Sequence, residues 1–323
     1  MYTKHQAIEL MNKWGGQGLP FFFMIDFELQ KPVLYLLEEL SKAISFDING
    51  VKRNAPPQTV KKPFTFEPRP VPFQTYKKAF DKVISELDYG NSYLLNLTLP
   101  TPLHTNLDLA SIFYRSKAPY KLLIKNELVV FSPEPFVKIK EGVISSYPMK
   151  GTIDASLLNA EHLLLNNPKE EAEHATIVDL IRNDLSKVAT KVKVANYRYV
   201  EKVKTSRKEL LQVSSKIEGK LPNKYQSKLG DIIFSLLPAG SISGAPKKKT
   251  VEIIKKIESN ERGYFTGIVG IFDGLILDSG VLIRYIEQKN DEFVFRSGGG
   301  VTAQSNSRTE YQELLDKVYV PFN

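Results

Sequence analysis

The fold is decided by residues 264–300, YFTGIVGIFDGLILDSGVLIRYIEQKNDEFVFRSGGG. The apolar run Tyr264–Phe272 and the short run Leu275–Leu277 flank Asp273-Gly274, a dipeptide that favours a tight turn between antiparallel strands. A second candidate pair joins Val281–Gln288 to Glu292–Ser297 across Lys289–Asp291. Strands that are joined by a short turn run in opposite directions. This stretch therefore predicts antiparallel sheet rather than a doubly wound parallel one.

The segments outside this stretch add a further hairpin and several helices. Tyr93–Leu99 predicts a strand, and Leu122–Ile124 with Leu128–Phe131 predicts a hairpin around Lys125–Glu127. Apolar residues recur at helical spacing in Tyr76–Leu87, in 157–187 with a break at Pro168, and in Leu229–Leu237, Lys247–Ile257 and Thr309–Val318. Because strands come in hairpin runs with helices between them, we predict an α+β fold with antiparallel sheets.

The composition is that of an ordinary soluble globular protein. Hydrophobic residues make up 42% of the 323 residues, and no apolar run is long enough for a membrane span. The beginning of the chain lacks the pattern of a secretory signal and there is no cysteine, so we expect a cytoplasmic protein. The net charge is +8, but the lysines are dispersed and no nucleic-acid motif accompanies them. We expect no nucleic-acid or membrane binding, and a surface that attracts an anionic substrate or an acidic partner.

A proline-rich segment, residues 51–74, divides the chain. Its prolines are Pro56, Pro57, Pro63, Pro68, Pro70 and Pro72. Proline lacks an N–H group and disfavours both helix and central strand, so the segment predicts a connector. It separates an N-terminal region, 1–75, from a larger domain, 76–323.

Two Glu-x-x-Glu pairs are candidate metal ligands. Glu170 with Glu173, and Glu310 with Glu313, each place two carboxylates on one helix face. Like charges at this spacing repel unless a cation lies between them, and Mg²⁺ prefers such oxygen ligands. A solvated acidic helix face is the commoner explanation for either pair taken alone.

Three further segments can carry chemistry. Lys150 lies in Tyr147–Thr152, where a tight and partly buried turn would lower the lysine pKa and yield a nucleophilic amine, although a surface lysine is the commoner case. The segment Pro238–Lys247 enters a helix and offers N–H groups to an anion, although it is not a Walker A loop. Gly298–Gly300 directly follow a predicted strand and would let backbone approach a ligand. No catalytic triad is indicated, and the histidines lack metal-ligand spacing; His174 is expected to pack or cap.

Together and in this order, the motifs resemble the chorismate-utilising enzymes, which include anthranilate, aminodeoxychorismate, isochorismate and salicylate synthases. The resemblance covers about residues 76–320 and rests on Gly90–Leu97, Ser132–Glu134, Glu173–Leu185, Gly240–Lys247, Tyr264–Gly267, Ile283-Arg284, Gly298–Gly300 and Tyr311–Glu313. It implies two mainly antiparallel β-sheets packed together with helices on the outside. Residues 1–75 then correspond to a shortened version of the family's first region.

Position 150 discriminates within that family. The motif Pro-x-x-Gly-Thr carries Ala in anthranilate and isochorismate synthases, whereas Lys is the mark of aminodeoxychorismate synthases. The resemblance therefore implies a component I enzyme in which Glu134 protonates the C4 hydroxyl of chorismate while Lys150 adds at C2. Ammonia then displaces the lysine to give 4-amino-4-deoxychorismate, for 4-aminobenzoate and folate biosynthesis. A covalent intermediate divides one difficult substitution into two easier ones.

The resemblance also implies a ligand set and partners. Mg²⁺ is assigned to Glu173 and Glu313, with Glu170 and Glu310 in or near its shell. The matching substrate contacts are Ser241, Tyr264, Arg284, Gly298, Gly299, Gly300 and Lys317. Because the chain has no cysteine, a separate glutamine amidotransferase subunit is expected to supply ammonia. A downstream aminodeoxychorismate lyase is expected to act on the product.

Two positions depart from the family pattern. Leu94 stands where amidating relatives commonly have Gln and isochorismate synthases a water-activating Lys, which disfavours hydroxylation. Gln212 stands where relatives usually carry His, and glutamine cannot shuttle a proton, which disfavours pyruvate elimination. The alternatives are an anthranilate synthase large subunit, or a catalytically weak chorismate-binding subunit with Leu94 and Gln212 as signs of decay.

Overall fold

The computed structural model describes residues 2–55, 63–204, 209–258, 260–290 and 292–322. The strands are β1 Phe21–Ile25, β2 Val33–Leu36, β3 Ile44–Ile48, β4 Val51–Arg53, β5 Phe66–Pro68, β6 Leu94–Thr105, β7 Tyr120–Ile124, β8 Leu128–Ser132, β9 Pro135–Lys140, β10 Val143–Ser146, β11 Met149–Asp154, β12 Thr190–Lys204, β13 Glu209–Lys220, β14 Gly244–Ala245, β15 Ile268–Phe272, β16 Leu277–Val281, β17 Tyr285–Lys289 and β18 Glu292–Val301. The α-helices are α1 Lys4–Gly16, α2 Phe73–Asp88, α3 Leu109–Arg115, α4 Ala160–Leu165, α5 Pro168–Ser186, α6 Leu229–Leu236, α7 Gly240–Ser243, α8 Lys247–Ile257 and α9 Ser307–Asp316.

Within these described ranges the strands form two sheets. The first sheet has the order β11-β13-β10-β9-β16-β15-β1-β2, and β12 also pairs with β13. The second has the order β14-β6-β18-β17-β8-β7-β3-β4, and β5 also pairs with β6. The pairings are antiparallel throughout the described strands. The predicted α+β class with two antiparallel sheets is confirmed.

The two sheets pack face to face, and helices cover the far side of the first. Phe22 of β1 stacks on Phe46 of β3 with ring centroids 5.5 Å apart, in an apolar cluster that both sheets share. Phe21 and Phe23 point the other way, into the cluster that contains Met11 of α1 and the apolar residues of α5, α6 and α8. Successive side chains of a strand alternate between faces. Both faces of β1 are buried, which explains its uninterrupted apolar sequence.

The first predicted hairpin forms, but its predicted two-residue turn is wrong. Phe272 pairs with Leu277, so four residues make the connection. The carboxylate of Asp273 accepts hydrogen bonds from the N–H groups of Leu275 and Ile276, which holds them in the loop rather than in a strand.

The second predicted hairpin forms between β17 and β18, with Lys289 opposite Glu292. The turn residue Asp291 lies outside the described residues. Gly298, Gly299 and Gly300 do not follow the strand, as predicted, but form part of it and pair with Thr98, Leu97 and Asn96 of β6. A Cβ atom on Gly298 would lie 2.6 Å from the Leu97 carbonyl oxygen, so glycine lets the two backbones approach.

The predicted N-terminal region contributes strands to both sheets. β1 pairs with β15 and β3 pairs with β7, so residues before 75 are built into the same fold. Within the predicted connector, β4 and β5 add short strands at the periphery of the second sheet, where proline is tolerated. Pro56 and Pro57 lie outside the described residues. In the part of the chain that the structure describes, no helix has the length and apolar character to cross a membrane.

Candidate active site

A cavity of about 160 Å³ lies between the ends of the two sheets. Its walls come from β6, β11, α5, α7 and β18, together with the residues that follow β8 and α9. Of the residues predicted from the sequence, its lining includes Glu134, Lys150, Ser241, Arg284, Gly298, Gly300 and Lys317. The fold therefore gathers side chains that are as much as 183 residues apart, from Glu134 to Lys317.

Lys150 reaches the cavity because β11 is irregular at this point. The register between β11 and β13 shifts between Met149 and Thr152, and Gly151 adopts a φ of +81°. A bulge of this kind redirects a side chain. The ammonium nitrogen of Lys150 lies 2.5 Å from the Oε2 atom of Glu173, which is buried on α5.

The lowered lysine pKa expected from the sequence is wrong. Burial alone lowers the pKa of Lys150, but the adjoining carboxylate of Glu173, with further contributions from Glu313 and Glu170, more than compensates. The net effect is a raised pKa, because an anion at contact distance favours the charged amine. Lys150 is therefore an ammonium group in this state of the site.

Glu134 is a partly buried acid in the link from β8 of the second sheet to β9 of the first, whereas Lys150 lies on β11 of the first. It follows β8, and its Oε1 atom accepts a hydrogen bond of 2.5 Å from the hydroxyl of Ser241 on α7. Burial raises the pKa of Glu134, and the Ser241 hydrogen bond and the cations Lys317 and Lys150 lower it by less. A carboxyl group with a raised pKa holds its proton to a higher pH, which suits a general acid.

Two further cations face the cavity. Arg284, at a φ of +53°, donates a hydrogen bond to the carbonyl of Lys317 and lies 4.7 Å above the ring of Tyr319. The ammonium group of Lys317 donates to the Gly298 carbonyl at 2.9 Å and to Glu313 at 2.6 Å. Together with Lys150, these groups suit a substrate with more than one carboxylate.

Tyr264 is not placed as predicted. Its hydroxyl donates a hydrogen bond to the carbonyl of Lys31 at 2.9 Å. Tyr264 is not among the described residues that line the cavity. Phe265 and Thr266 take its place in the wall. Thr266 has a φ of +61°, so the chain reverses here and turns neighbouring side chains in different directions.

Asn96 is a cavity residue that the sequence interpretation missed. It lies two positions after Leu94 on β6, and both line the cavity. The alternation of side chains along a strand places residues i and i+2 on one face. Had β6 been extended in that way from Leu94, the sequence would have indicated Asn96.

The glutamate pairs lie beside this cavity. Glu173, Glu313 and Glu170 are all close enough to raise the pKa of Lys150. A Cβ atom on Gly299 would lie 3.5 Å from the Oε1 atom of Glu313 and 3.8 Å from the Oε2 atom of Glu310, so both acids of the second pair border that glycine.

As a donor set, these carboxylates have the oxygen chemistry that Mg²⁺ prefers. In the described residues, however, no three acidic or histidine donors stand close enough together to hold a metal ion. The chemistry of these carboxylates suits a magnesium ion, but in this arrangement Glu173 and Glu313 are paired with the ammonium groups of Lys150 and Lys317.

His174 and Gln212 lie outside the cavity wall among the described residues. The Nε2 atom of His174 is 2.7 Å from the Ser215 hydroxyl, and its ring packs edge-on against Tyr197. Burial, then the cations Arg198 and Lys150, lower the pKa of His174 to about 4, so it is neutral above that pH. Gln212 lies within β13, where its backbone pairs with Thr152 and Glu201.

The cavity has features that suit a small carboxylate ligand, because an acid and a lysine line it together with further cations. The chain belongs to the chorismate binding enzyme family, whose model matches residues 25–322. It is accordingly an enzyme that acts on chorismate.

The relatives differ in what their names say. An "Uncharacterized PabA-like protein" of Haemophilus influenzae is 52% identical over 99% of this chain and 97% of its own length. "Anthranilate synthase component 1 1" of Haloarcula marismortui is 37% identical over 62% of this chain, and "Aminodeoxychorismate synthase component 1" of Salmonella typhimurium is 32% identical over 75%. This chain spans 42% and 56% of those two proteins.

Solved structures support the fold. A putative 2,3-dihydroxybenzoate-specific isochorismate synthase, DhbC from Bacillus anthracis, superposes with a TM-score of 0.75 over 96% of this chain and 87% of its own. At 21% identity, this likeness concerns the architecture alone.

Proposed function

We propose that this enzyme aminates chorismate at C4, through a covalent adduct on Lys150, and releases 4-amino-4-deoxychorismate. One observation carries the proposal: the Lys150 amine and the Glu134 carboxyl group line the same cavity. A nucleophile and a general acid are the two groups that a substitution through an enzyme adduct requires. The resemblance at position 150 supports this reaction over the others in the family.

In the first step, the Nζ atom of Lys150 attacks C2 of chorismate, the ring double bonds shift, and the C4–O bond breaks. Glu134 gives its proton to the departing hydroxyl, which leaves as water. The lysine must first lose a proton, and the Oε2 atom of Glu173, 2.5 Å away, is the base within reach.

In the second step, ammonia attacks C4, the double bonds shift back, and the C2–N bond to Lys150 breaks. The excess proton of the added ammonia goes to Glu134, and Glu173 returns its proton to the released lysine, so that each group regains its starting form. Arg284 and Lys317 hold the substrate carboxylates during both steps, and Ser241 keeps Glu134 in position.

Mg²⁺ would be held by Glu173 and Glu313, with Glu170 and Glu310 around it. When bound, the ion supplies positive charge that neutralises and orients the ring carboxylate. The residues of the chain then have the roles already described.

Ammonia is proposed to come from a separate glutamine amidotransferase subunit. The relatives named as synthases are each called component 1, which supports a partner component. We also propose a cytoplasmic location, and a downstream lyase that converts the product to 4-aminobenzoate.

The test is a coupled assay. The protein is incubated with chorismate, Mg²⁺ and ammonium, then with an aminodeoxychorismate lyase, and 4-aminobenzoate is measured. We expect product from the native chain and none from Lys150→Ala. If fluorescent anthranilate forms instead, and Lys150→Ala remains active, the protein is an anthranilate synthase. This is the activity named for the 37% identical relative. Mg²⁺-dependent chorismate binding without turnover would indicate a weakly catalytic subunit.

A further inference from the structure

A second, smaller cavity lies behind Glu134, on the side of α5 and α6. Its volume is about 20 Å³, which is room for one water-sized molecule. Glu134 and Ser241 line both this rear chamber and the substrate cavity. The hydrogen-bonded pair of these two residues is therefore the partition between the two spaces.

The rear chamber has mostly apolar walls. Phe136 and Val137 of β9, Ile181 and Leu185 of α5, and Leu236 of α6 contribute side chains that are at least nine-tenths buried. This apolar part of the wall favours a small neutral molecule over a charged one, because apolar side chains offer an ion no compensating partners.

The polar part of the wall includes Asp184. There the carboxylate of Asp184 lies 2.5 Å from the ammonium group of Lys247 and 2.8 Å from that of Lys187. Lys187 is half exposed, so this ion-paired cluster extends from the chamber wall to solvent. A Cβ atom on Gly240 would lie 3.2 Å from Asp184, so glycine leaves this wall open.

We propose that the rear chamber is the subsite from which ammonia attacks C4, an inference that rests on the proposed function. In that reaction, water departs from C4 beside Glu134, and ammonia then forms its bond to the same carbon. Both are small neutral molecules that react beside Glu134. Neutral ammonia, not ammonium, is the nucleophile, and it is also the form that these walls accept.

The size of the chamber makes a sharp prediction about the nucleophile. Ammonia has one heavy atom and fits, whereas methylamine has two and does not. The native enzyme should therefore use ammonia and reject methylamine. A nucleophile that entered through the larger substrate cavity would meet no such limit.

Ile181→Ala tests this selectivity, because it enlarges the rear chamber. We expect the variant to gain methylamine-dependent formation of 4-(methylamino)-4-deoxychorismate, at least tenfold above the native rate, as detected by mass spectrometry. The matched control is Ile177→Ala, one helical turn earlier on α5, which enlarges the substrate cavity instead. It should change the KM for chorismate without admitting methylamine. If Ile181→Ala fails to fold, Ile181→Val provides the same readout.

Ala239→Val tests the subsite by filling it. Ala239 lines the rear chamber and is buried, and its extended backbone accepts a β-branched side chain. We expect the KM for ammonia to rise at least tenfold, while the amount of Lys150–substrate adduct trapped without ammonia is unchanged.

The two proposals fail separately. If the native enzyme forms neither adduct nor 4-amino product, the proposed function is lost. If it forms both, but accepts methylamine as readily as ammonia, or if Ala239→Val saturates with ammonia as the native enzyme does, the rear chamber is not the ammonia subsite.

Discussion

The buried Arg262 links two walls of the substrate cavity through hydrogen bonds to their backbone, and its replacement by Met should destabilise both walls. The guanidinium group donates to the carbonyls of Ile242 at 2.9 Å and of Asn96 at 2.6 Å, and both residues line the cavity. It also makes a two-pronged ion pair with Glu258, at 2.8 and 2.7 Å, and lies 4.6 Å above the ring of Phe27. Only 2% of Arg262 is exposed.

The magnitude follows from what Arg262→Met leaves behind. Met fills much of the space but donates no hydrogen bond. Of its hydrogen bonds within the described residues, the Glu258 carboxylate, 8% exposed, then keeps those from the N–H and hydroxyl of Thr98. Removal of one partner from a buried ion pair costs about 3–5 kcal/mol. Two buried carbonyls also lose a charged donor. We expect a loss of about 4 kcal/mol, a large part of the 5–15 kcal/mol that is typical of a folded domain.

Urea unfolding measures this loss as a shift of the midpoint at constant slope. A double-mutant cycle with Glu258→Gln should give a coupling energy of about 2 kcal/mol. The matched control is Arg182→Met, which breaks an ion pair with Asp179 at the surface and should cost less than about 1 kcal/mol. The KM for chorismate should rise in Arg262→Met and not in the control. A loss below about 1 kcal/mol, or additivity within about 0.5 kcal/mol, would refute the reasoning.

Three further predictions concern the site. Lys150→Arg keeps a positive charge beside Glu173 but no nucleophilic amine; 4-aminobenzoate formation should fall to background, while calorimetry shows a melting temperature within about 3 °C of the native value. Glu134→Gln should lower kcat by about 10²–10⁴-fold. Because burial raises the pKa of Glu134, its acid form is present below that pKa and lost above it, so native activity should fall as pH rises and the Gln variant should lack that limb. Gly299→Ala places a methyl group 3.5 Å from Glu313 at ordinary contact distance, so the fold should persist while Mg²⁺ binding weakens. The native chain should gain about 2.7 kcal/mol of stability at a hundred times the Mg²⁺ Kd, and a variant that gains as much would contradict the metal assignment.

The hairpins could be predicted from the sequence because each is local. Strand pairing between β7 and β8, and between β17 and β18, follows from apolar runs beside turn residues. The length of the loop at Asp273 could not be predicted in this way, because it depends on which N–H groups donate hydrogen bonds to the Asp273 carboxylate. β1 was missed as a central strand because both of its faces are buried and its sequence shows no alternation. Its partner β15 lies more than 240 residues away, and no local pattern encodes that pairing.

The order of motifs placed Glu134, Lys150 and Ser241 in one cavity. Their electrostatics could not be predicted, since the sign of the shift in the Lys150 pKa depends on a tertiary distance of 2.5 Å to Glu173. Tyr264 was predicted as a substrate contact because the motif identifies the segment but not the direction of each side chain. The φ of +61° at Thr266 reverses the chain, and Phe265 and Thr266 line the cavity instead.

The charges of the site bear on the order in which its ligands bind. Four glutamates lie beside the cavity with three cations, Lys150, Lys317 and Arg284, and burial raises the pKa of a further acid, Glu134. The described site is therefore close to neutral. Chorismate alone would add two negative charges and a divalent ion alone two positive ones, and each excess is costly in a buried place. Substrate and ion together leave the charge unchanged, so if Mg²⁺ binds here, each ligand should strengthen the binding of the other by the same factor, as thermodynamic linkage requires.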